Sequence, residues 1–115
     1  MYLIEYIGSR LSAYQLSVQK RKLITAVDAI ERHIQQMIAQ GIEDLDPIHM
    51  ASFDIEYSLS HPDNMYTPST REKILSTLRE IEVLTSSRTL MYVPFTVEKL
   101  RRIILAAELR HSTRL

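Results

Sequence analysis

The stretch that most constrains this chain is its first forty residues. No proline interrupts Tyr2–Gln40, and Gly41 stands where a helix C-terminus favours a left-handed residue. Within the stretch, Ala13, Leu16, Lys20, Leu23, Val27, Ile30, Ile34 and Met37 recur at alternating spacings of three and four, a heptad seam. Ile24 and Ile38 widen that seam to the breadth of a bundle face. Lys20 is a polar interruption in it. Ile4, Ile7, Leu11, Tyr14 and Val18 form a second helical stripe. At about 100° of rotation per residue, the two stripes lie on nearly opposite sides. The changeover falls at Lys20, Arg21 and Lys22.

A helix of this span is nearly 60 Å long at about 1.5 Å per residue. A compact domain of this size has a radius of gyration of about 13 Å. The rod therefore either breaks, with Gly8-Ser9 the natural place, or extends beyond its own globule. Residues 2–7 are also compatible with a short strand, because Tyr and Ile favour one.

The rest of the chain reads as shorter elements. Asp46-Pro47 has the form of an N-cap followed by proline in the first turn. Ile48, Ala51, Ile55 and Leu59 then share a helical face, while Phe53, Ile55, Tyr57 and Leu59 alternate as in a strand. The start signal favours a helix, with Met50, Phe53 and Tyr57 left on its far side. Thr67-Pro68 opens a further helix, and Ser69 with Glu72 has capping-box spacing. Ile74, Leu78 and Ile81 form its buried stripe. Residues 89–95 are expected to be extended, because Val93 precedes Pro94 and a residue before proline is pushed out of the helical region. The last helix is expected to begin at Thr96 and to carry Arg110 and His111 in its last turn.

The fold class that follows is mostly α: a small helical bundle of one domain, residues 1–115, with one long N-terminal helix and a short extended segment near 89–95. The alternative is α+β with two or three short strands. Two glycines and four prolines suit helices better than a turn-rich β fold.

Charge is zero overall but uneven along the chain. Residues 41–66 carry six acids and no Lys or Arg, while residues 96–115 carry five basic side chains against two acids. Lys99, Arg102 and Arg110 cluster on one side of the last helix, which is the form of a nucleic-acid contact or of an ordinary solvated face. Zero net charge weighs against nucleic acid, since phosphate binding rests on excess positive charge. The connection from Leu84 to Thr96 is also too long for a helix-turn-helix.

Little points to catalysis. The four histidines, His33, His49, His61 and His111, have no metal-ligand spacing on a helix. Asp44, Asp46 and His49 are the one cluster fit for a divalent ion, and they read more simply as acids at a helix start. No nucleophile elbow and no glycine-rich phosphate loop occurs. With no cysteine, there is neither a disulfide framework nor a thiolate site, and a reducing cytoplasm is the default compartment. The N-terminal apolar run stops at Gly8 and is expected to be neither a signal peptide nor an anchor, so no membrane association is expected.

The expectation is a non-enzymatic protein-interaction module without cofactor or metal. It would act as a regulator, adaptor or inhibitor and self-associate as a homodimer. The expected interface is the seam Leu16, Leu23, Val27, Ile30, Ile34 and Met37, or the opposite N-terminal stripe. Another protein, or less favourably nucleic acid, would meet Lys20, Arg21, Lys22, Lys99, Arg102 and Arg110. The alternative function is a dimeric nucleic-acid-binding regulator.

Overall fold

The computed structural model describes the backbone of residues 2–107 and the side chains of residues 13–107. It holds four α-helices: α1 (Tyr2–Gln40), α2 (Asp46–Ser60), α3 (Pro68–Ser86) and α4 (Val93–Leu105). No strand occurs among the described residues, so the α+β alternative is set aside and residues 2–7 and 52–60 are helical.

The helices pack α1 on α2, α2 on α3, α3 on α4 and α4 on α1, closing a ring of four. Neighbours run antiparallel. Gln19 of α1 holds the loop after α2, while His33 of the same helix bonds the Asp44 carbonyl in the loop before it. Likewise Lys20 reaches Leu105 at the end of α4, while Asp28 and Glu31 meet Arg101 one turn earlier. This is an up-down-up-down bundle. Its core takes Leu23, Val27, Ile30 and Ile34 from α1, Ile48, Ile55 and Leu59 from α2, Ile74, Leu78 and Ile81 from α3, and Val93, Val97, Leu100 and Ile104 from α4. Each set recurs at three- or four-residue steps, so one face per helix turns inward. Full burial of each large aliphatic is worth about 1.5–3 kcal/mol.

The seam expected to join two copies is therefore the core of one. Leu16, Leu23, Val27, Ile30, Ile34 and Met37 are all buried against the chain's own helices. Heptad spacing cannot tell a partner's helix from a neighbouring helix of the same chain, and the widened stripe at Ile24 already favoured a bundle. Gln19 and Lys20 mark the level at which α2, α4 and the loop between α2 and α3 stop. Beyond that level α1 continues without a break at Gly8, and among the described residues nothing runs beside it before about Leu16. The outline is correspondingly long, 59 × 20 × 19 Å with a radius of gyration of 16.2 Å, against about 13 Å for a compact chain of this length.

The helix ends correct several readings. Gly41 does close α1, at φ 68°, donating its N–H to Met37. The cap of α2 is not Asp46, which is already helical; Leu45 holds the N-cap position, and the carboxylate of Asp44 accepts from Asp46 N–H at 3.0 Å. Thr67 caps α3 by accepting from Thr70 N–H at 3.2 Å, whereas the Ser69 and Glu72 pairing does not form the cap. Residues 89–95 are not extended: Leu90–Tyr92 make a single 3-10 turn, and α4 starts at Val93 rather than Thr96. The preference of a pre-proline residue for extended backbone is overridden because helical Val93 is fully buried in the core. Pro94 falls in the first turn, where its missing N–H costs nothing. Arg110 and His111 lie outside the described residues.

α3 ends in an unusual cap. Thr89 N–H bonds Leu84 carbonyl at 2.8 Å and Arg88 N–H bonds Thr85 carbonyl at 3.2 Å, the Schellman pattern. Its left-handed position holds Arg88, at φ 59°, where glycine is usual.

Candidate interaction surfaces

Three surfaces follow from this frame: the basic face, the α1–α2 groove and the projecting part of α1.

The cations singled out by the sequence lie on α1 and α4, and several meet partners within the chain. Lys20 donates to the carbonyl of Leu105 at 2.9 Å, meeting the free carbonyl end of α4, where a cation is favoured. That role explains a lysine inside an apolar seam. Lys99 faces Glu80 at 3.4 Å, and Arg102 faces Glu98 at 3.5 Å. Arg21 and Lys22 are exposed on α1. Three of the six expected contact cations thus meet partners within the chain, and Arg110 is outside the described residues.

The cation that organises the structure is one the sequence did not single out. Arg101 bonds Asp28 at 2.8 Å and Glu31 at 3.2 Å on α1, and Glu98 at 3.0 Å on its own helix. Its side chain is only 19% exposed. The Asp28 hydrogen bond, with lesser help from Glu31 and Glu98, holds the guanidinium charged beyond its ordinary range, against the opposing pull of burial. Asp28 and Glu31, three residues apart facing α4, were the available signal, but only the α1–α4 register reveals the match.

Two of the histidines, His33 and His61, hold loops. His33 is buried and bonds the Asp44 carbonyl, so it pins the α1–α2 loop. His61 accepts from Asp63 N–H at 3.2 Å, within a network in which Gln19 donates to the Asp63 carbonyl and accepts from Met65 N–H, both at 2.8 Å. A cavity of about 270 Å³ opens beside this loop, lined by Gln19, His61, Asp63 and Tyr66 among others. Burial pushes the Tyr66 phenol above its usual pKa, so it stays protonated. Among the described residues no group of three His, Cys, Asp or Glu side chains is placed to hold a metal. Asp44 of the expected cluster accepts from Asp46 N–H.

The apolar surfaces are more telling. Met50, Phe53 and Tyr57 are about two-thirds exposed along the outer face of α2, with the Phe53 and Tyr57 rings stacked at 6.3 Å. Beside them a groove of about 630 Å³ runs between α1 and α2, floored by Thr25, Ala26 and Ala29 and walled by Pro47, Met50 and Tyr57. Further along α1, Tyr14 is 65% exposed and Val18 is half-buried. Large apolar side chains in such arrays mark interaction surfaces more often than scattered ones do. No helix among the described residues is long and apolar enough to cross a membrane.

Comparison with protein-family models, curated proteins and solved structures gives no match, so the functional reading rests on geometry.

Proposed function

We propose that this chain is a small non-enzymatic protein-interaction module, a regulator, adaptor or inhibitor, that works as a homo-oligomer through the N-terminal half of α1. One observation carries the reading: α1 runs about 20–25 Å past the bundle at about 1.5 Å per residue, with an apolar stripe by spacing and no described element beside it. A lone helix of some fifteen residues is marginal in water, because nucleation is costly and packing supplies most helical stability. Covering its stripe is therefore worth more than covering an ordinary surface residue. A reducing, cytoplasmic setting fits a chain without cysteine.

The nucleic-acid alternative has less support, since Lys20, Lys99 and Arg102 meet carbonyl or carboxylate groups of the same chain. Sedimentation from sub-micromolar to tens of micromolar protein tests the main reading. Self-association that Tyr14→Glu weakens at least about tenfold, or 1.4 kcal/mol, supports it. A monomer throughout the range counts against it. Retention of duplex DNA that falls steeply with salt would revive the alternative.

A further inference from the structure

Resting on that self-association, we infer that the occupant of the α1–α2 groove is the projecting α1 segment of a second copy, laid antiparallel about a two-fold axis at Val18. The stripe Ile4, Ile7, Leu11, Tyr14 and Val18 does not end at the bundle. The same steps of three and four continue through Lys22, Thr25 and Ala29, and all three of these line the groove. One face of α1 thus has bulky positions on its projecting half and, past Lys22, small ones on its sheathed half.

Folding that face onto itself about Val18 matches large to small. Positions equally far from Val18 meet, so Tyr14 faces Lys22, Leu11 faces Thr25 and Ile7 faces Ala29. Small residues admit the closer approach and large ones fill it, as in interdigitated packing. The lysine stem and charge lie across a tyrosine ring at the first pair, an arrangement that attracts. Steps of three and four on both strands suit helices crossing at about 20°. Lengths agree too: the projecting segment of about 20–25 Å lies within the sheathed half, which spans about 32 Å from Gln19 to Gln40 at the same rise. The walls of the groove, Met50 at 69% and Tyr57 at 64% exposed, are then covered on both copies. The contact is isologous and closes at two subunits, without running on into a fibre.

The chain has no cysteine, so one introduced thiol is the sole reactive site. Val18→Cys is treated with a bis-maleimide that spans the 8–10 Å between packed helix axes, beside sedimentation of the unmodified chain. The expected result is a dimer in solution and a covalent dimer from Val18→Cys. Leu11→Cys and Thr25→Cys should link only when mixed, because each is about 21 Å along the axis from its own copy. Ala29→Trp fills the groove floor and should weaken dimerisation at least about tenfold with an unchanged helical circular dichroism spectrum. If the chain sediments as a dimer but Val18→Cys does not link, or Ala29→Trp dimerises normally, the groove is not the interface, while self-association stands. If it sediments as a monomer throughout, both the groove and the self-association reading are overturned.

Discussion

The two halves of α1 obey one periodicity and meet opposite fates. From Leu23 to Met37 the helix is sheathed by α2 and α4, and its stripe is buried. Before about Leu16 the same helix carries an equally regular stripe with no described neighbour. Amphipathicity is the same; what differs is the length of the surrounding helices. α2, α3 and α4 have 15, 19 and 13 residues against 39 in α1. Spacing tells which side of a helix seeks cover, and only tertiary structure tells who supplies it.

The sharpest way to break this comparison is to truncate one side chain in each half. Ile30→Ala, at a fully buried position, should lower unfolding free energy by about 2–5 kcal/mol. Tyr14→Ala, at an exposed position, should change it by less than about 0.5 kcal/mol in dilute protein, while weakening self-association. Chemical denaturation at low concentration reads both, and equal losses would erase the distinction between the halves.

A smaller effect probes what clamps the sheathed half to α4. Arg101→Ala should cost about 1–2 kcal/mol, since charge-assisted bonds are lost and three carboxylates are left facing one another. Asp28, Glu31 and Glu98 are 41–50% exposed, so water screens part of this loss. High salt should narrow the gap between Arg101→Ala and the unmodified chain.

Alkaline pH tests the same boundary from the loop held by Gln19. Tyr66 has a raised folded-state pKa, so its contribution is complete below the unfolded value near 10 and is lost as pH rises beyond it. Tyr66→Phe should soften the alkaline fall in stability. In a spectrophotometric titration of the unmodified chain, Tyr66 should ionise only with unfolding. Smallest is Arg88→Gly, which relieves a left-handed arginine and should raise stability by about 0.5–1 kcal/mol, less whatever the exposed Arg88–Glu43 pair at 2.8 Å contributes.

Much of the fold was legible because it depends on local signals. Gly41, Thr67-Pro68 and the aliphatic steps of α3 each act within one or two turns, and each forms as read. The α2 ambiguity resolved toward its start signal, although Leu45 rather than Asp46 holds the N-cap position. What could not be read depends on distant parts of the chain. Val93 is helical because α4 must present it to the core, and no neighbour in sequence says so. Arg88 carries no mark of a left-handed cap. Arg101 looked like any cation on a basic helix until the α1–α4 register set it against Asp28 and Glu31. The seam was recognised as apolar, but a second copy was named as its cover, with the opposite N-terminal stripe as the alternative interface, and the chain covers the seam by itself.

Amide hydrogen exchange along α1, measured at several protein concentrations, tests the division between the halves most directly. A self-sheathed core with a projecting rod requires that residues 23–37 exchange slowly at every concentration, and that residues before 16 exchange fast when dilute and slow down as copies associate. Slow exchange over the first fifteen residues in dilute protein, or protection of both halves rising together with concentration, would contradict it.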